Sequence, residues 1–185
     1  GSGHHFEEEG FHSVHRKPLQ VLSMSDFIDR MDRIFSPKVV AVVGAKQAND
    51  YSWLRAHGPL QGKVYNVNVD RSEWPGAEAL GFESVPSLLD IPEPVDYVTL
   101  SIPRTVVPSL LRDCVAKGVL GAHIFAVGFS EIHTEEGVLL EQDVIDIARE
   151  GNLLVVGPNC MGLYNPKMGL RQSRDQFQGE GGFFS

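Results

Sequence analysis

Positive charge is in short supply in this chain. Lys and Arg total 16 against 24 Asp and Glu, a formal net charge of -8. Phosphate backbones are held by clustered cations, so this balance excludes a general nucleic-acid binder. It does not exclude one phosphorylated small ligand, for which a few N–H groups or a single cation suffice. Cysteine is equally scarce. Cys114 and Cys160 lie far apart and follow no secretory signal, which excludes a disulfide scaffold and points to a reduced, cytoplasmic setting. No apolar run approaches the ~20 residues that a membrane helix needs. What remains is an ordinary soluble composition, 42% hydrophobic and 22% charged over 185 residues. That length supports one domain with its own core and some chain to spare.

The first 23 residues read as a tag remnant (Gly1 to His5) followed by an N-terminal extension. His4, His5, His12 and His15 have no ligand spacing and are not taken as a metal site. From there a pattern sets in. Ser25 to Ile34 reads as a short helix capped by Ser25 and stopped by Pro37. Val39 to Val43 is an unbroken apolar run, the mark of a strand buried on both faces. Lys46 to His57 reads as a loop feeding a helix, with Asp50 or Ser52 as its cap. Further strands are expected at Lys63 to Val69, Val95 to Ile102, Gly121 to Val127 and Asn152 to Val156. Between them fall a short helical turn at Ser84 to Asp90 and amphipathic helices at Thr105 to Lys117 and Thr134 to Glu150. Gly118 and Gly151 stand where helix-ending residues belong.

Strand and helix alternate throughout, which predicts an α/β fold: a Rossmann-like, doubly wound parallel sheet with helices on both faces. Ligands bind such sheets at the carboxyl ends of the strands, where strand order reverses. The polar and glycine-rich segments fall at those ends, near 44–53, 68–71, 101–104, 126–131 and 157–162.

Five blocks in this region carry a resemblance. Phe35-Ser36-Pro37-Lys38 precedes Val40-Ala41-Val42-Val43-Gly44-Ala45. Gly62-Lys63-Val64-Tyr65 leads to Val67-Asn68, and Val95-Asp96 leads to Ser101-Ile102-Pro103. Gly128-Phe129-Ser130-Glu131 and Gly157-Pro158-Asn159-Cys160-Met161-Gly162 complete the set. In this order and spacing the segment Phe35 to Gly162 resembles the CoA-binding domain of succinyl-CoA synthetase alpha subunits and of nucleoside-diphosphate-forming (ADP-forming) acyl-CoA synthetases. The resemblance covers roughly two thirds of the chain, and the Gly-Pro-Asn-Cys block is its most specific part. It implies one CoA-binding domain over 24–170. The remaining 171–185 would be a linker and the start of a following domain, with Gly181 to Ser185 as that domain's first strand. It also implies that ligase chemistry needs domains or subunits beyond this sequence.

Carried over residue by residue, the resemblance implies coenzyme A or acyl-CoA contacts in five places. These are Gly44, Ala45 and Lys46; Asn68 and Arg71; Ser101, Ile102 and Pro103; Ala126, Val127, Gly128 and Phe129; and Asn159 and Cys160. It implies no catalytic residue and no metal. Several positions carry a second reading. Gly44 also suits a plain tight turn, and Lys46 an ordinary solvated lysine. Arg71 also suits an ion pair with Asp70 or Glu73, and Phe129 a cover for the core. Cys160 suits a small buried hydrophobe. Arg104 reads as solvated, and His57 and His123 as structural. The loop from Lys46 to Trp53 departs from its relatives, which carry more small residues there. The pattern G-x-G-x-x-G fails at Lys46 and Asn49. Asp70, at the end of the second strand, leaves open an NAD(P)-binding domain of an oxidoreductase or redox-sensing regulator. The oligomeric state is open, with a homo-oligomer among the possibilities.

Overall fold

A computed structural model describes residues 22–173 and the backbone of Phe183 and Phe184. The histidine-rich start and most of the expected tail lie outside the described residues.

Six parallel strands form the sheet: β1 (Val39–Val43), β2 (Lys63–Val67), β3 (Glu83–Val85), β4 (Tyr97–Leu100), β5 (Gly121–Ile124) and β6 (Leu154–Val156). Their order is β3-β2-β1-β4-β5-β6. The chain winds outward from β1 through β2 to β3, then returns to β4 on β1's other side. The reversal between β1 and β4 is where a doubly wound sheet forms its ligand crevice. The expected fold class therefore holds.

Strand residues alternate between two faces, as the period of two requires. Ala41, Val43, Val98, Leu100, Ala122 and Ile124 pack on α4 (Val107–Lys117) and α5 (Glu135–Glu150) through Leu111, Cys114, Val144 and Ile147. On the other face Val40 and Tyr97 meet Ile34 of α1 (Met24–Phe35), together with Leu163 and Leu170. Val42 meets Trp53 and Leu54 of α2 (Ser52–His57) and Ala77 of α3 (Trp74–Ala79). Asp96, 2% exposed, fixes α1 to the sheet's amino edge. It pairs with Arg33 at 2.5 Å and accepts from the N–H groups of Lys38 and Val39. Burying a carboxylate is costly unless it is paired and hydrogen-bonded, and these three donors meet that need.

Several local readings change. Ser23, not Ser25, caps α1, because its Oγ accepts from Asp26 N–H. Neither Asp50 nor Ser52 caps α2; Tyr51 precedes it, and Asp50 and Tyr51 both take left-handed conformations. The stretch expected as a helical turn from Ser84 begins inside β3, and only Leu88–Asp90 forms a 3₁₀ turn. Helix α3 was not foreseen. β5 ends at Ile124, so Ala126 and Val127 are loop residues. α4 starts at Val107, after a 3₁₀ turn over Arg104–Val106. Thr134 caps α5, its Oγ1 accepting from Gly137 N–H at 3.1 Å. Past the sheet, β7 (Leu163–Tyr164) pairs antiparallel with β8 (Phe183–Phe184), and Arg171 and Gln172 are buried.

Candidate cofactor site

Each strand of the sheet's centre releases a loop at the same edge, and the loops are tied to one another. Gly44, at φ +86°, follows β1, and its N–H donates to Val67 O at 3.1 Å. A Cβ there would overlap the Ser101 carbonyl oxygen and stand 2.8 Å from Ile102 Cγ2. Glycine is thus required by the approach of the β4 loop and by its positive φ. Asn68, at the end of β2, donates from Nδ2 to Ala45 O at 2.8 Å and accepts Asp70 N–H at Oδ1, 3.0 Å. Arg104, after β4, reaches the Gly128 carbonyl beyond β5, and its other nitrogen pairs with Glu136 at 3.2 Å. Asn159 N–H, beyond β6, donates to Ala126 O at 3.1 Å. The sites expected at five strand ends therefore lie along one edge, linked loop to loop.

Arg104 is half-buried and bound, which corrects its reading as a solvated side chain. Arg71 pairs with neither Asp70 nor Glu73 among the ion pairs of the described residues; its guanidinium lies 5.0 Å from the Trp74 ring centroid. The indole Nε1–H of Trp74 donates to Asn68 O at 2.8 Å, so the stack is held at the end of β2. Asp70 caps the next turn through Ser72 N–H and Ser72 Oγ, and these hydrogen bonds hold its carboxyl below the usual range. Lys46 is exposed.

The loop after β5 has an arrangement that sequence reasoning did not reach. Glu131 accepts from Gly128 N–H at 2.6 Å and from Phe129 N–H at 2.8 Å. These bonds, Gly128 first, draw its pKa below the ordinary carboxylate value. Ser130 N–H donates to Glu141 at 2.9 Å. Phe129 is wholly buried in the core, its N–H taken by Glu131 and its carbonyl set against Gly137, which bears out its reading as a cover for the core. Phe125 and Val127 are exposed, and Phe125 meets Trp53 edge-on at 4.8 Å between centroids. Trp53 itself is buried in the core, so the exposed apolar surface here belongs to Phe125 and Val127. The sequence reading sets Phe125 inside a strand running to Val127, so its exposure past β5 carried no signal there.

Cys160 is half-buried. Its Sγ accepts from Gly162 N–H at 3.3 Å, and its carbonyl lies 2.5 Å from His123 Nε2. The imidazole Nε2 is thus engaged by the Cys160 backbone. Burial lowers the pKa of His123 and takes that of His57 to about 3, so both rings are neutral at pH 7. Among the described residues, no three His, Cys, Asp or Glu side chains are grouped to hold a metal ion. Nor is any of their helices long and apolar enough to cross a membrane.

Comparisons with known proteins agree on one family. Residues 38–166 match the model of the CoA binding domain. An ADP-forming acetate–CoA ligase (I) of Archaeoglobus fulgidus is 36% identical over 143 residues, which is 76% of this chain and 20% of the ligase. The alpha subunit of an ADP-forming acetate–CoA ligase (II) of Pyrococcus furiosus is 35% identical over 146 residues, 76% of this chain and 30% of the subunit. The apo structure of an acetyl-coenzyme A synthetase from Ca. Korarchaeum cryptofilum superposes with a TM-score of 0.66 at 29% identity, covering 77% of this chain and 31% of that one. The chain thus spans a fifth to a third of the length of these relatives.

Proposed function

Because this chain belongs to the CoA-binding domain family, we propose that it holds coenzyme A or acyl-CoA along the carboxyl edge of its sheet, as one module of a larger acyl-CoA synthetase. It is homologous to the N-terminal module of ADP-forming acyl-CoA synthetases. The observation that carries the placement is the linkage of five loops, from Asn68–Ala45 through Gly44–Ser101 and Arg104–Gly128 to Asn159–Ala126. In this reading Gly44, Ala45 and Lys46 take the diphosphate side, and Asn68 and Arg71 flank the ribose. Ser101 to Pro103 and Ala126 to Gly128 line the pantetheine arm, with Phe129 fixing that loop to the core. Asn159 and Cys160 face the thiol end. The exposed Phe125 adds apolar surface beside that arm.

The described residues offer backbone donors, apolar surface and the Cys160 side chain, and the two buried imidazoles are held neutral by desolvation. Ligase chemistry would then reside in other domains or subunits, the partners this module requires. Two cysteines outside any disulfide suit a cytoplasmic setting. The NAD(P) alternative is not favoured, since the matched family is defined by CoA and Asp70 is engaged in capping its own turn.

Calorimetric titration with free CoA, and with NADH as control, tests the reading. Binding of CoA and not NADH is expected. Binding of NADH in preference, or of neither ligand, would overturn it.

A further inference from the structure

The backbone donors of the loop after β1 are the groups a doubly wound fold turns toward a ligand's diphosphate. Here one of them already holds an anion of the protein's own. Gln47 N–H donates to Glu73 Oε2 at 2.8 Å. The same oxygen accepts from the Tyr51 hydroxyl at 3.0 Å, and the Glu73 carbonyl lies 3.1 Å from that hydroxyl. Tyr51 is 5% exposed, and its ring sits against Gly76, where a Cβ would stand 2.6 Å from Tyr51 Cζ. Glu73 is thus delivered from the start of α3 onto the β1 loop by a fitted tyrosine. The charges around it are mixed: Lys46 acts on Asp70, and Arg71 lies on Trp74.

We propose that Glu73 is a specificity-determining residue of the CoA site: its carboxylate occupies the Gln47 N–H in place of a ligand phosphate and selects against the cofactor's diphosphate. This rests on the CoA reading above. The diphosphate can reach the donor only when the carboxylate swings away, and a carboxylate nearby repels it through a medium less screening than bulk water. The domain therefore binds CoA more weakly than its fold allows. The deficit lies at the diphosphate and not at the thiol end.

The test is titration of the wild-type chain, Glu73→Gln and Glu73→Ala with three ligands: CoA, 3′-dephospho-CoA and pantetheine, which carries no phosphate. Glu73→Gln keeps an acceptor for Gln47 N–H and Tyr51 and loses only the charge. Affinity for CoA and dephospho-CoA should rise alike, by about tenfold at low salt, while pantetheine is unchanged. The gain should shrink at high ionic strength, and Glu73→Ala should keep it. A purely structural role predicts instead no gain in Glu73→Gln and a loss in Glu73→Ala, and either result overturns the proposal. A gain for CoA without dephospho-CoA would place the carboxylate against the 3′-phosphate and overturn the diphosphate assignment. CoA binding by the wild type with no gain in Glu73→Gln sinks this inference alone. Failure of every variant to bind CoA and pantetheine sinks the CoA reading with it.

Discussion

His57 and Thr99 share a hydrogen bond beneath the sheet, Nε2 to Oγ1 at 3.2 Å, in a place that no water reaches. The ring's Nδ1 has no partner among the described residues, and burial, with lesser contributions from His123 and Arg171, takes its pKa from 6.5 to about 3. The ring is therefore neutral in the folded chain and protonates readily only when unfolded.

An acid-sensitive stability follows. A histidine whose folded pKa is depressed contributes fully above pH 6.5 and loses that contribution as pH falls toward 3. The slope reaches up to about 1.4 kcal/mol per pH unit. His123, also lowered by burial, adds in the same direction. Urea unfolding between about pH 7.5 and 5.5 should show the loss in the wild type. In His57→Gln, where an amide can still meet Thr99, the loss should be clearly smaller. Equal losses in both proteins would remove His57 as the cause.

A second prediction concerns Gly44. Its φ of +86° and the closeness of Ser101 and Ile102 leave no room for a side chain. Gly44→Ala must strain the backbone and push the β4 loop outward. A cost of roughly 2–4 kcal/mol is expected from the two effects together, with weaker CoA binding because Ser101 and Ile102 move. Thermal unfolding and titration read the two consequences separately. Wild-type stability in Gly44→Ala would show that the loops are less closely set than described.

Much of this architecture was legible in the sequence because its signals are local. Val39 to Val43 announces a strand buried on both faces, and all but its first residue are buried. Gly-Pro-Asn-Cys lies in the loop beyond β6, as its block order required. What escaped was short or tertiary. Helix α3 spans only Trp74–Ala79, with Pro75 and Gly76 inside it, and those residues read as breakers. β3 has three residues at the sheet's edge, too few for a period to show. The contacts of Glu73 with Gln47 and of Arg104 with Gly128 join positions 26 and 24 residues apart. Propensity cannot report them, because only the folded sheet brings those loops together.

The two cysteines supply a paired chemical test of the thiol end. Cys114 is fully buried, and desolvation pushes its thiol up to about 12, so it should stay silent to alkylating reagents in the folded chain. Cys160 is half-buried on the Asn159 loop and should react slowly but measurably with iodoacetamide. If this loop faces the cofactor's thiol end, saturating CoA should slow that reaction severalfold, while pantetheine alone should protect in part. NADH should leave the rate unchanged. A Cys160→Ser variant, with the reaction abolished, assigns the signal to one residue. If CoA binds by calorimetry and the Cys160 rate does not change, the loop lies away from the thiol end and Cys160 leaves the site. Protection by CoA without a calorimetric signal would mark binding with an enthalpy near zero, which a titration at a second temperature reveals because apolar burial shifts the enthalpy with temperature.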